Sequence, residues 1–338
     1  MALRIVPPSE PIPIETIVLC IYAAPGTGKT SLAQTAEAPL TYDFDNGIYR
    51  AFNRKSAVQV AQWEDADTTS EELEPFSTIV VDTAGRALDV LSRDIIGNNP
   101  KAGRADGSLT LQGFGTLKSR FAQWQSFLRA QGRDIILLCH MDEQKNGDDT
   151  TERIDAQGSS KNEIYKVADA MCRIRLDNRD NRYLDFDPRQ GGYGKNPAQL
   201  KKVPVPNLKD NPLFLAGIIA QIKAALNHLT EAQAAAVKEQ EDWDASMAQL
   251  TDPADAAKAV RLAGDNKVAL ASALRRLFVL CEPLALFNEH VVPLMKIKGE
   301  VLTEAVKATK LRKWKADKAS GLYVEAVQTL KDGELCCE

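Results

Sequence analysis

Ala23-Ala24-Pro25-Gly26-Thr27-Gly28-Lys29-Thr30 is the stretch that decides how this chain reads. An apolar run, Ile17-Val18-Leu19-Cys20-Ile21-Tyr22, precedes it, and a helical pattern begins near Ser31. A strand, a glycine-rich turn and a helix in that order make a phosphate-binding loop. Backbone N–H groups of the turn and the helix N-terminus converge on phosphate oxygens. Ala23, Pro25, Gly26, Thr27, Gly28, Lys29, Thr30 and Ser31 are therefore the candidate nucleotide-binding residues. Lys29 is placed to reach the β- and γ-phosphates, and the Thr30 hydroxyl to hold Mg²⁺. The motif usually opens on glycine, and Ala23 stands there instead. The alternative is a plain glycine turn in another α/β protein, but the flanking strand and helix supply the context the motif requires.

A second segment supports the first. Ser77-Thr78-Ile79-Val80-Val81-Asp82 is a β-branched run ending in an acid, the pattern of a buried parallel strand. Asp82 reads either as a cap on the helix starting near Gly85 or as the acid that positions the metal. Its pairing with Lys29 and Thr30 favours the metal. Asp43 and Asp45 end the strand Leu40–Phe44 on one side of it, since strand side chains alternate. Asp45, farther out, is the candidate for orienting the attacking water; Asp43 fits a polar turn equally well. His140 follows Ile135–Cys139 and is a candidate γ-phosphate sensor, with a solvent-facing strand end as the alternative.

Composition bounds the rest. The chain has 338 residues, 44% hydrophobic and 26% charged, enough for a large core and two domains. A net charge of −4 gives no global basic field, so nucleic-acid contacts must come from local patches. No apolar run approaches a membrane span, and Met1–Arg4 lacks a signal-peptide layout. Six scattered cysteines with no C-x-x-C pair argue against disulfides or zinc and point to a reducing cytoplasm.

Prolines at 7, 8, 11 and 13 make residues 1–14 an extended arm. Strands and helices then alternate: helices are expected near 29–37, 47–53, 85–96, 114–130 and 161–170, and strands near 17–22, 40–44, 78–82, 135–139, 172–177 and 183–187. This is a mostly parallel sheet covered by helices. The stretches 97–113 and 141–160 read as loops. From about 213 to 338 the chain is Ala-rich and helical with almost no strand signal. Residues 231–255 hold seven acids against one lysine, whereas 307–315 hold five basic residues and no acid. The latter, with Trp314, suits either single-stranded nucleic acid or a solvated helix face.

Taken together, the loop at 23–30, the acids at 43–45, Val80-Val81-Asp82, Leu137-Leu138-Cys139-His140 and a basic glycine-rich turn at 189–195 resemble the RecA-like core of phage-encoded AAA-type ATPases. That group includes the Sak-type single-strand annealing proteins. The resemblance covers about 15–207. It implies a RecA-like P-loop core, ATP and Mg²⁺ as ligands, and hydrolysis with Lys29, Asp45, Asp82 and His140 as the reacting set. Asp45 stands where the family usually has Glu, and His140 where RecA itself has Gln. The resemblance further implies a homo-oligomer with nucleotide at the subunit interface, and Arg189 and Lys195 as a trans finger. Lys101, Arg104, Arg153 and Lys161 are the candidate contacts to single-stranded DNA. A single-strand-binding protein, or another replication or recombination protein, is the expected partner. The rival functions are a helicase loader or remodelling ATPase, and a nucleotide-gated module with little turnover.

Overall fold

The structure, a computed structural model, describes residues 5–146, 149–156, 160–188 and 192–295, and toward the C-terminus 314–317, 320, 322–325, 328–331 and 334–337. The chain divides into two compact units, Ile12–Thr230 and a second made of Met1–Pro11 with Glu231–Glu338.

The first unit is built on β1 (Val18–Ala23), α1 (Lys29–Ala33), β2 (Pro39–Asp43), β3 (Ser56–Gln59), α2 (Ser70–Leu73), β4 (Thr78–Asp82), α3 (Ala84–Asn98), α4 (Leu111–Ala130), β5 (Asp134–Asn146), β6 (Asp149–Ile154), α5 (Ser160–Val167), β7 (Ala170–Leu176), β8 (Arg182–Asp185) and β9 (Val203–Pro204). Among the described residues these strands form one nine-stranded sheet, ordered β3-β2-β4-β5-β1-β7-β8-β9, with β6 paired to β5. The strands from β3 through β7 along that order run parallel, and β8 and β9 continue antiparallel. This is the expected RecA-like class.

Strand β1 shows why the sequence folds this way. Its side chains alternate between the two faces of the sheet, and both faces are apolar. Val18, Cys20 and Tyr22 join the core under α3 and α4. Ile17, Leu19, Ile21 and Ala23 join the core on the α1 face. Register pairs Asp43 with Asp82, and Ala23 with His140, so all four reach one edge of the sheet.

Three expectations change. The polar stretch 141–160 is largely a β-hairpin, β5 running on past His140 and pairing with β6. The hairpin is tied down by Glu152, which accepts from Arg173 at 3.0 Å and Arg175 at 2.6 Å, while Arg173 also donates to Asp185 at 3.0 Å. Second, α1 is shorter than 29–37. Third, the helical part does begin at α6 (Phe214–Gln249), but the units divide at Thr230, inside that helix, rather than near 212. Its first turns complete the α1-face core through Leu215, Ile218, Ile219 and Ile222. Lys223 pairs with Asp134 at 2.7 Å. The arm is pinned there as well: Ile14 N–H donates to Asn227 Oδ1 at 2.7 Å, and the Thr230 hydroxyl to Ile12 O at 3.1 Å.

The second unit continues α6 into α7 (Pro253–Leu262), α8 (Lys267–Leu280) and α9 (Leu284–Leu286), the last running into a π-helical turn, Phe287–Val291. Two short hairpins follow, β10 (Trp314–Ala316) with β11 (Tyr323–Glu325) and β12 (Gln328–Lys331) with β13 (Glu334–Cys337). The sequence gives almost no signal for these short strands, and the region before them is helical as expected. Trp314 and Lys315 are thus in a strand, and the rest of the basic stretch, 307–313, lies outside the described residues. Among the described residues no helix is long and apolar enough to cross a membrane.

Burying the four α6 side chains contributes roughly 6–12 kcal/mol at about 1.5–3 kcal/mol each, against a net stability of about 5–15 kcal/mol for a whole domain. A chain ending after Pro212 should therefore aggregate, whereas one ending after Thr230 should fold cooperatively. Circular dichroism melts and solubility of the two truncations check this; a folded, soluble product ending at Pro212 contradicts it.

Candidate functional site

The loop after β1 is held open by two left-handed glycines, Gly26 at φ 77° and Gly28 at φ 89°. Beside Gly28 lies Arg182, whose Nη1 is 2.4 Å from where a Cβ would stand and could swing aside. That guanidinium, from β8, donates to Thr27 O at 3.4 Å. Thr27 turns its hydroxyl inward to Ala24 O at 2.9 Å, and Leu32 N–H donates to Gly28 O at 3.0 Å, opening α1. Pro25, Gly26, Gly28, Lys29, Thr30 and Ser31 line a cleft of ≈ 900 Å³. Ala23 is buried beneath it and presents only its carbonyl.

Lys29 is almost fully buried. Its Nζ donates to Ala23 O at 3.0 Å and Ala24 O at 3.1 Å. Burial lowers its pKa, opposed by the carboxylates of Asp82 and Asp45. The Thr30 hydroxyl donates to Asp82 Oδ2 at 2.6 Å. Burial pushes the Asp82 carboxyl up to about 6, with Asp45 and Asp43 adding to the rise and the Thr30 hydroxyl opposing it.

His140 Nδ1 lies 3.5 Å from Lys29 Nζ, and its Nε2 3.4 Å from Asp45 Oδ2. An ammonium only donates, so Nδ1 is the acceptor and Nε2 carries the proton that faces Asp45. Arg86 Nε lies 3.4 Å from Asp45 Oδ1. Burial alone would raise the Asp45 pKa, but His140, Arg86 and Lys29 together outweigh it and hold it low. One cleft thus holds two carboxylates of opposite tendency, Asp45 kept ionised and Asp82 inclined to protonate.

The structure brings Lys29, Thr30, Asp45, Asp82 and His140 together. Asp43 is different: it is fully buried and accepts from Gly47 N and Ile48 N, both at 2.9 Å, so it caps the turn after β2. Lys195 is not brought to the cleft; its Nζ donates to Ala168 O at 2.5 Å, before the start of β7, whereas the cleft lies at the far ends of the parallel strands. Arg189 lies outside the described residues. Lys101 and Arg104 are exposed on the segment between α3 and α4. Arg153 sits in β6 and Lys161 in α5, both half-buried. None of these four lines the cleft.

Sequence reading missed four arginines. Arg50, Arg86 and Arg93 line the cleft, and Arg182 backs the loop. A usable signal existed for two: Arg86 and Arg93 are one heptad apart on α3, hence on one face of it. Arg182 had none, because its contact with Gly28 joins positions far apart in the chain.

The groups present fit a magnesium nucleotide. Loop N–H groups and Lys29 suit phosphates, and the Thr30 hydroxyl and Asp82 carboxylate suit a cation. Mg²⁺ takes few protein ligands and relies on substrate phosphates and water.

A protein-family model described as an AAA domain matches residues 15–198, more than half of the chain. No curated protein matches it. Among solved structures, a KaiC-like protein of the hyperthermophilic archaeon Pyrococcus horikoshii OT3 is similar at 12% identity and TM-score 0.33, over 56% of this chain and 84% of that one. An ATPase from the type III secretion system of pathogenic bacteria is similar at 11% identity and TM-score 0.31. That match covers 48% of this chain and about half, 52%, of the other.

The raised Asp82 pKa has a consequence for stability. Folding favours its protonated form, so its contribution is fully present below the ordinary value of 3.8 and is lost as pH rises through about 6. The loss is about 3 kcal/mol. Asp82→Asn removes the charge and keeps an acceptor for Thr30. Its melting temperature should match the parent at pH 4 and exceed it by several degrees at pH 8, in magnesium-free buffer. Equal melting at both pH values contradicts the assignment.

Proposed function

The chain belongs to the AAA-domain family of P-loop ATPases, and on that premise we propose that it hydrolyses ATP to act on single-stranded DNA in recombination or strand annealing. The observation that carries the ATPase reading is the 2.6 Å bond between Thr30 and Asp82, in a cleft that also holds Lys29, Asp45 and His140. These residues come from α1, the turn after β2, β4 and β5, so no local fold requirement explains their convergence.

In this reading Lys29 leaves the loop carbonyls for the phosphates. Thr30 and Asp82 would hold Mg²⁺, whose charge would stabilise the phosphoryl oxygens. Asp45, kept ionised by His140 and Arg86, orients the attacking water. When Lys29 moves, His140 Nδ1 loses its donor; His140 is thereby a reporter of nucleotide state to the hairpin that β5 continues into. Catalysis is by positioning and electrostatics.

Assembly with the nucleotide between two copies is supported by Tyr49 and Phe52, 68% and 63% exposed on either side of the cleft residue Arg50. Solvent-facing aromatics of that kind suit a protein contact. The DNA reading rests on exposed cations, Lys101 and Arg104, and on the resemblance. A protein-partnered ATPase is the second reading, favoured by the acidic surface of the helical unit.

ATP hydrolysis with and without single-stranded DNA, at low and moderate salt, tests the proposal. Stimulation that declines with salt is expected, because phosphate contacts release counterions. Unstimulated turnover overturns the DNA part and moves the partner to protein. Asp45→Asn should lower turnover by about 10²–10⁴-fold with ATP binding retained; normal turnover removes Asp45 from the mechanism.

A further inference from the structure

In the helical unit, α6 and the turn between α7 and α8 enclose a groove of ≈ 550 Å³. Its α6 wall carries Glu239, Asp242 and Trp243; its other wall carries Leu262, Ala263 and Ala269. The turn exists because Gly264 takes a left-handed φ of 54° and Asn266 caps α8, accepting from Val268 N at 3.1 Å and Ala269 N at 3.2 Å.

The chemistry of the groove is specific. Trp243 is half-buried and has committed its Nε1–H to Ala269 O at 3.1 Å, so the indole offers a ligand only apolar surface. Leu262 stands on the lip at 79% exposure, and Val268, one residue before Ala269, at 61%. The charged side chains lining the groove are Glu239 and Asp242, with no cation among the lining residues. An acidic helix face alone is ordinarily just solvated. Here the carboxylates border a cleft with a tryptophan in its wall and an unburied leucine at its edge, which is how an interface core with a polar rim is built. From Ala236 to Ser246 the α6 wall runs about 15 Å at 1.5 Å per residue, the length of about three helical turns of a bound segment.

We propose that this groove docks a short basic segment of a partner protein that inserts a bulky apolar side chain between Trp243 and Leu262. Its flanking Lys or Arg residues pair with Glu239 and Asp242. The mode is helix-in-groove recognition, with the apolar anchor giving affinity and the carboxylates giving charge selection.

A labelled nonapeptide absent from this chain, Ala-Lys-Ala-Lys-Leu-Arg-Ala-Lys-Ala, has the required chemistry and tests the proposal by fluorescence anisotropy with the full chain. Saturable binding that weakens with salt is expected. Leu262→Ser and the double variant Glu239→Lys/Asp242→Lys should each weaken it about tenfold or more, the equivalent of about 1.4 kcal/mol. All three positions are exposed, so circular dichroism melts of the variants should match the parent. ATP binding serves as the control for an intact first unit. Absence of binding by the parent, equal binding by the variants, or equal binding of a peptide with Gln at every basic position overturns the proposal.

Discussion

The hydrogen bond from Thr30 to Asp82 joins the first turn of α1 to the tip of β4, and the geometry of the cleft follows from it. It forms because β1 and β4 both lie beside β5 and run parallel to it, so their loops emerge at the same edge. A parallel sheet with apolar side chains on both faces leaves its polar groups at strand ends. The sheet's burial and the site's chemistry are therefore one constraint. Moving β4 by one residue in register would turn Asp82 to the other face and dismantle the site.

That constraint works against stability. Lys29, Asp82 and Asp45 are placed where desolvation disfavours at least one charged form, and each depends on the others to remain usable. Lys29 is satisfied by its own loop's carbonyls, and Asp45 by His140 and Arg86. Asp82 is the least satisfied of the three, and a cation beside it reverses its tendency to protonate. Binding a magnesium nucleotide would thus relieve a cost built into the folded protein. The helical unit answers to different physics. Its core is alanine-rich, with Ala256, Ala257, Ala259, Ala263, Ala269 and Ala273 buried in it.

The legible part of the sequence was the part written locally. Two glycines at fixed spacing, a β-branched run ending in Asp82, and alternation along β1 gave the loop, the central strands and the core set Lys29, Thr30 and Asp82. What depends on distant packing was not legible. Strand β3 is four largely exposed residues, too short and too polar to show a pattern. The division of α6 at Thr230 is invisible in composition, because its first turns are as Ala- and Ile-rich as any free helix. The hairpin at 141–154 was hidden by its acids, which read as a polar loop. Arg182 could be found only once β8 was seen beside the loop.

The central claim is that Lys29, Thr30 and Asp82 form a magnesium-nucleotide site, and calorimetric titration of ATP with Mg²⁺ into the full chain and Lys29→Ala tests it most directly. The structure predicts saturable one-site binding by the parent and none detectable by the variant, with both melting cooperatively. Equal affinity in the two proteins would contradict it and place any nucleotide site elsewhere.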